Sequence, residues 1–262
     1  MAIRISDKNR REMSEERDFA QSVPVVSRYC ILSSPRSGST LLGRMLYETG
    51  LAGDPQEFLN PPLIAIERER SGNDTLDWNG FLQLMEKRRT SPNGVFGIKL
   101  HFSQMLSAFR SRQVTPGMVK MLKGFNHLIW IRRRDRLRQG ISQAVGMHTQ
   151  VWSSEDSNSV DLSAGDIHPF QVLRATVGVS HDDHAWEQLI PQAGLDVLVI
   201  WYEDLVDNYE AESRRVLTHL NLQEMVEDIP EPPLKRQAAE VNEEIRQALL
   251  AYLGISSDDS IE

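Results

Sequence analysis

A single cysteine, Cys30, stands in 262 residues. That scarcity excludes a disulfide framework and any metal held by clustered thiolates, and it fits a reducing compartment. Glycine (16) and proline (12) are too few for a collagen-like or low-complexity chain, and the 40% apolar and 25% charged contents are those of a globular protein, not a coiled coil. Basic charge is also short. Lys and Arg total 29 against 37 Asp and Glu, a formal net charge of -8, which is the wrong balance for a general nucleic-acid binder. Any anion site must therefore be local. No uninterrupted apolar stretch is long enough to span a bilayer, and the opening MAIRISDKNRREMSEERDFA mixes both charge signs where a signal peptide carries an apolar core. The expectation is a soluble cytoplasmic protein with no nucleic-acid partner and no membrane span.

What the sequence does contain is an alternation of strands and helices. Residues 1–27 are polar and read as an N-terminal arm, a peripheral helix or extension, with residues 28–262 as a single domain. Tyr29 to Leu32, Val95 to Leu100, His127 to Ile131 and Val197 to Tyr202 are dense in β-branched, aromatic or Leu residues and predict strands. Helical patterns follow the first strand at Leu41, Leu42, Met45 and Leu46, and recur over Asp135 to Met147, Asp182 to Ile190, Tyr209 to Leu220 and Lys235 to Leu253. This order predicts the α/β class with a largely parallel sheet. Trp152 to Asp166, poor in apolar residues and rich in Ser and Asp, predicts a long loop, either a solvated connector or a flap beside a site.

The most informative segment is Ser33-Ser34-Pro35-Arg36-Ser37-Gly38-Ser39-Thr40, where a strand hands over to a helix. Small residues let the backbone turn tightly, so that several N–H groups and the helix N-terminus converge on one anion. Arg36 adds full charge, and Ser37, Ser39 and Thr40 add hydroxyl donors. The competing reading is that Ser37 or Ser39 only caps the helix. Against the nucleotide-binding pattern G-x-x-x-x-G-K-[ST], Gly38 and Thr40 match, but Ser33 replaces the first glycine and Ser39 the lysine. A P-loop kinase of nucleotides or small molecules is therefore the second reading, and a non-catalytic nucleotide-binding regulator the third.

The Pro35 to Thr40 loop resembles the 5′-phosphosulfate loop of sulfotransferases, in the branch typified by bacterial trehalose 2-sulfotransferase. Further blocks agree in order: GDPQEF at Gly53 to Phe58, SPNGVFGIKL at Ser91 to Leu100, IRRRDRLRQGISQAV at Ile131 to Val145, and KRQA at Lys235 to Ala238. The resemblance implies a P-loop-type parallel sheet flanked by helices. It implies 3′-phosphoadenosine 5′-phosphosulfate (PAPS) as donor, no metal, and a carbohydrate-type or other small-molecule hydroxyl as acceptor. A homodimer is expected on the resemblance alone.

The same resemblance distributes roles. Pro35, Arg36, Ser37, Gly38, Ser39 and Thr40 would cradle the donor's 5′ side, and Arg133 and Ser142 would bind its 3′-phosphate, with Arg134 the rival within the triple arginine. An arginine at a strand's carboxyl end and a helical serine can converge on one phosphate at that sheet edge. Glu57, in the PQE block, would be the general base, a role suited to a carboxylate whose pKa burial raises toward neutrality. Lys99, at the end of VFGIKL, would neutralise charge on the leaving phosphate or else snorkel to solvent. His101 shares its strand face and lies near the acceptor pocket or is an ordinary half-buried histidine. Arg236 and Gln237 resemble a block near the donor, although Ala239 stands where relatives often carry Asp.

With serine in place of the lysine that serves a magnesium-bound triphosphate, transfer should need no added divalent metal. Turnover measured in EDTA should match that in buffer; loss in chelator that magnesium restores would favour the kinase reading.

Overall fold

The computed structural model describes residues 3, 5–152, 162–232 and 239–255. Four strands, β1 (Ser27–Ser33), β2 (Val95–His101), β3 (His127–Arg132) and β4 (Leu198–Trp201), form one parallel sheet in the order β2-β1-β3-β4. The helices among the described residues are α1 (Asp7–Glu12), α2 (Ser39–Glu48), α3 (Pro61–Ser71), α4 (Trp78–Arg89), α5 (Phe102–Ala108) and α6 (Pro116–Leu122). After β3 come α7 (Arg136–Thr149), α8 (Pro169–Gln192), α9 (Tyr202–Asp207), α10 (Tyr209–His219) and α11 (Ala239–Leu253). No described helix is long and apolar enough to cross a membrane.

The sheet order determines where a ligand can sit. From β1 the chain passes to β2 on one side, and from β3 to β4 on the other. The loops leaving the carboxyl ends of β1 and β3 therefore diverge and leave a crevice between them. Both faces of the sheet are covered, as a parallel sheet requires. Cys30, Leu32, Leu128 and Trp130 pack under α3, α4, α5, α6 and α8, while Tyr29, Ile31, Ile129 and Ile131 pack under α2 and α10. This period-two split explains why the strands read as continuous apolar runs. A third cluster joins α7, α8 and α11 through Ile141, Ala144, Val172, Ala175, Ile245 and Leu249.

All four predicted strands form, each within two residues of its expected ends. The helix expected over Asp182 to Ile190 starts earlier, at Pro169. Proline suits the first helical position, His168 accepts from the Phe170 N–H, and Val172, Ala175 and Val179 extend the apolar stripe. Within the predicted Trp152 to Asp166 loop, Ala164–Asp166 forms a 3-10 turn and residues 153–161 lie outside the described residues. The last helix is described from Ala239; Lys235 to Ala238, including Arg236 and Gln237, also lie outside.

Buried ion pairs tie the N-terminal segment to this frame. Arg89 and Asp54, each almost fully buried, approach to 2.5 Å, and Arg17 adds a second guanidinium to the same carboxylate at 2.5 Å. Burial alone would raise the Asp54 pKa; the hydrogen bond and charge of Arg17, with Arg89 beside it, hold it below its usual value.

Gly140 is the close-approach point between α7 and α8: a Cβ there would lie 1.9 Å from Thr176 Oγ1 and 2.7 Å from the Thr176 Cα. Backbone cannot swing aside as a flexible side chain can, so Gly140→Ala should destabilise by about 1–3 kcal/mol through overpacking. A urea midpoint equal to that of the parent chain would show that the helices accommodate the methyl group.

Candidate active site

The loop between β1 and α2 reverses direction through two left-handed residues, Arg36 (φ 62°) and Gly38 (φ 96°). Only glycine fits the second: a Cβ on Gly38 would meet the Tyr202 ring at 2.5 Å. At Arg36 the same conformation carries a steric cost, which surrounding contacts must offset. Arg36 Nε donates to Ser142 Oγ at 2.8 Å and Nη1 to the Trp152 carbonyl at 2.5 Å. Gln139, fully buried one turn before Ser142 on α7, donates from Nε2 to Ser34 Oγ (2.8 Å) and to the Pro35 carbonyl (2.7 Å). The Trp186 indole N–H holds the Ser33 carbonyl at 2.9 Å. Gly38 is the N-cap of α2, and no side chain caps it. The reading of Ser37 or Ser39 as a mere cap therefore fails, and the helix N-terminus is left for another acceptor.

This loop forms one wall of a cavity of about 760 Å³ at the carboxyl edge of the sheet. Pro35, Arg36, Gly38, Ser39 and Thr40 all border it, with Arg133 and Ser142 alongside and Glu57 and His101 on another part of the wall. Ser37 does not: it is fully buried, and its Oγ has no hydrogen-bond partner.

The three consecutive arginines separate by partner. Arg132 binds Asp183 (2.7 Å) and Glu187 (3.0 Å), and Arg134 makes a two-pronged bond to Asp204 at 2.7 and 2.8 Å. Arg133 alone of the three borders the cavity, its guanidinium 4.7 Å from the Tyr202 ring centre and its Nη1 donating to the Arg36 carbonyl at 3.4 Å. Its Nε is buried without a hydrogen-bond partner. Burial lowers its pKa, against the pull of Tyr202 and Glu203, yet a guanidinium stays charged at neutral pH.

Glu57 sits in the turn between α2 and α3. Gln56 pairs with Ile98 at the sheet margin and accepts from the Lys99 N–H at 2.9 Å, which fixes the turn against β2. Glu57 is buried, its side chain 9% exposed. Gln104 Nε2 donates to its Oε2 at 2.7 Å, and Lys8 Nζ and His101 Nε2 each lie 3.6 Å from Oε1. The other imidazole nitrogen, Nδ1, shares a 2.9 Å hydrogen bond with Ser33 Oγ.

Three expectations for this side of the cavity are corrected. Burial does push the Glu57 pKa up, but the charges of Lys8, His101 and Lys99 and the Gln104 hydrogen bond outweigh it, so the carboxyl is held well below the usual range instead of rising toward neutrality. Lys99 neither reaches the cavity nor snorkels to solvent. It is 2% exposed and borders a smaller cavity of about 320 Å³ beside Thr40, Gly43 and Lys8. Burial lowers its pKa against the opposing charges of Glu57 and Glu12. His101 is buried, not half-buried, and burial lowers its pKa despite Glu57 and Asp182. Arg236 falls outside the described residues.

Lys8 and Gln139 are the residues that motif reading missed. Lys8 lies in the polar arm, where no periodicity points to a partner. Gln139 was detectable in principle, since a residue three before Ser142 shares its helix face.

A family model described as Stf0 sulphotransferase matches residues 28–248. Among curated proteins, a trehalose 2-sulfotransferase of Mycobacterium tuberculosis (strain ATCC 35801 / TMC 107 / Erdman) is 28% identical over 250 residues, spanning 84% of this chain and 92% of the relative. A trehalose 2-sulfotransferase of Mycolicibacterium smegmatis (strain ATCC 700084 / mc(2)155) is 26% identical over 250 residues, spanning 82% and 91%. Among solved structures, a sulfotransferase domain from the curacin biosynthetic pathway is 15% identical, covers 90% of this chain and 99% of its own, and superposes with a TM-score of 0.45. A sulfotransferase from Alicyclobacillus acidocaldarius is 13% identical, with coverages of 88% and 96% and a TM-score of 0.46.

Asp54, in the same turn as Glu57, anchors the site without bordering the large cavity. Its folded pKa is depressed, so its contribution to stability is full above the unfolded value of about 3.9 and is lost as pH falls through the folded one. Asp54→Asn removes the buried carboxylate that joins Arg17 to Arg89 and leaves Arg89 with Asp18 at 2.7 Å, and should cost about 3 kcal/mol at pH 7. The variant's stability should also fall less steeply below pH 4 than the parent's. Urea unfolding between pH 3 and pH 7 measures both, and parallel curves would contradict the assignment.

Proposed function

The chain belongs to the Stf0 sulphotransferase family, and from that premise we propose that it transfers a sulfuryl group from PAPS to a hydroxyl of a carbohydrate-type acceptor. The observation that carries this reading is a single cavity with an uncapped helix N-terminus and Arg36 on one wall, Arg133 and Ser142 beside them, and the anionic Glu57 on another part of the wall. A volume of about 760 Å³ is of the size that holds a nucleotide-like donor with part of a small acceptor.

The donor set fits a nucleotide with anionic groups at both its 5′ and 3′ positions. The buried Arg133 Nε lacks a hydrogen-bond partner, and the serine in place of the kinase lysine is compatible with a phosphate that carries no magnesium. Arg36, Ser39, Thr40 and the first N–H groups of α2 would hold the 5′ side, and Arg133 and Ser142 the 3′-phosphate. Bound there, the donor supplies an activated sulfuryl group and a phosphate leaving group.

In this reading Glu57 accepts the acceptor hydroxyl's proton while the hydroxyl oxygen bonds sulfur and the bridging S–O bond breaks. Arg36 and the loop N–H groups take up the charge that moves onto the bridging oxygen. His101, held by Ser33, and Gln104 orient the carboxylate. Lys99 adds positive charge from the smaller cavity behind α2, without contact in the larger one. The acceptor class rests on the two relatives that carry trehalose in their names.

Arg133→Ala should weaken PAPS binding roughly ten- to a hundredfold, one charge-assisted contact being worth about 1.5–3 kcal/mol. Adenosine 5′-phosphosulfate, which lacks the 3′-phosphate, should barely sense the change. Equal weakening of both donors, measured by calorimetry, would remove Arg133 from the 3′-phosphate.

Glu57→Gln should lower the single-turnover rate by on the order of 10²- to 10⁴-fold with adenosine 3′,5′-bisphosphate affinity nearly unchanged. Parent-like turnover on folded variant would end the base assignment.

A further inference from the structure

The family region begins at residue 28, yet the segment before it places a cation beside Glu57. In α1, Ser6 and Asn9 lock the first turn reciprocally, with the Asn9 N–H on Ser6 Oγ at 3.3 Å and the Ser6 N–H on Asn9 Oδ1 at 3.1 Å. So short a helix would not persist alone. It is held from outside: Arg70 donates to the Met13 carbonyl at 3.5 Å, Arg89 to the Ser14 carbonyl at 2.9 Å, and Arg17 to Asp54.

This tethered segment delivers Lys8, whose side chain is 17% exposed, with Nζ 3.6 Å from Glu57 Oε1 and 3.4 Å from Glu12 Oε1. Lys8 borders the large cavity together with Glu57, Arg36 and Thr40, and it also borders the smaller one with Lys99. The groups acting on the Glu57 carboxylate come from several elements. They are Lys8 with Glu12 behind it on α1, Lys99 and His101 of β2, and the Gln104 amide of α5; Arg36 of the loop opposes Lys8, and Asp182 of α8 acts on His101. Lys99 does not border the large cavity, and burial disfavours the imidazolium of His101. Lys8 is therefore the ammonium group that meets Glu57 at the cavity wall.

We propose that Lys8 is a positioning residue for Glu57: it fixes the charge and orientation of the carboxylate at the cavity, so that a segment outside the region matched by the family completes the site in cis. The proposal rests on the reading of Glu57 as the base. Without the ammonium, the burial of Glu57 favours its neutral form, and the carboxyl should bind protons about ten- to a thousandfold more tightly. The base then loses its charge at pH values where the parent keeps it, while at high pH the two proteins hold the same carboxylate.

The test separates the coupling from the chemistry. The carboxyl ¹³C signals of glutamate-labelled, ligand-free protein are titrated, and the Glu57 resonance is identified by its loss in Glu57→Gln. In Lys8→Met, which keeps the length of the side chain, the Glu57 signal should titrate at higher pH than in the parent; Lys8→Arg, which keeps the charge, should restore the parent curve. Lys8→Gln gives the same comparison if the Met variant does not fold. A Glu57 signal that titrates at the parent's pH in the neutral variants overturns the proposal. Single-turnover rates across pH give the second readout. The Lys8→Met rate should fall on the acid side and converge with the parent at high pH, whereas a merely structural defect lowers it uniformly. A uniform loss with an unmoved carboxyl overturns the proposal; a moved carboxyl with an unmoved pH–rate profile supports the Lys8 coupling and rejects Glu57 as the base.

Discussion

The divergence of two loops at the carboxyl ends of β1 and β3 is the constraint on which the rest of the site depends. Because β2 lies on one side of β1 and β4 on the far side of β3, neither loop can cover the other. The strand-end residues Ser33 and Arg132 lead directly into the β1–α2 loop and Arg133. The loop needs left-handed backbone at Arg36 and Gly38, a conformation that isolated chains avoid at arginine. The helix that follows β3 offsets this: α7 presents Gln139 and Ser142 to the loop from one face, and Gly140 between them lets α7 lie close against α8. The same few residues therefore serve packing on one side and line the cavity loop on the other.

Charge is organised against the average of the chain. A protein with a net charge of -8 places Lys8, Arg36 and Arg133 around one cavity and Lys99 behind it. Acidic partners absorb the cations that serve the frame: Asp54 takes Arg17 and Arg89, Asp183 takes Arg132 and Arg136, and Asp204 takes Arg134. Glu57 lies 3.6 Å from both the Lys8 ammonium and the His101 imidazole. Its depressed pKa makes it an anion at neutral pH, and in the role proposed for it a carboxylate so stabilised is a weaker base than one raised by burial. Membership of the sulphotransferase family and the α/β fold stand independently of that assignment.

Much of this architecture was legible in the sequence because local signals and tertiary structure agree. The strands are apolar runs bounded by turn residues, and a sheet buried on both faces demands such runs. The β1–α2 loop was legible as a turn into a helix because its hydroxyls, arginine and glycine occur where a strand meets a helix. Helices α3 and α4 were not, since PPLIAIERERS and WNGFLQLMEKRR bury only three residues each and carry a weak apolar stripe. The register within Arg132, Arg133 and Arg134 depended on Asp183 and Asp204, tens of residues away in sequence. The direction of the Glu57 pKa turned on Lys8, which lies 49 residues earlier and outside any motif. Long-range pairing of single charges leaves no periodic trace, and electrostatics was accordingly where reading from sequence fell short.

We propose that the cavity takes a bisphosphorylated adenosine without metal. The most direct measurement is thermal unfolding of the intact chain with adenosine 3′,5′-bisphosphate, ATP or GTP, each in EDTA and in magnesium. At about 100 times its dissociation constant a ligand stabilises by roughly 2.7 kcal/mol. The bisphosphate should raise the midpoint equally in EDTA and magnesium, at concentrations where ATP and GTP have no effect. Stabilisation by ATP or GTP that depends on magnesium, with none by the bisphosphate, would contradict it.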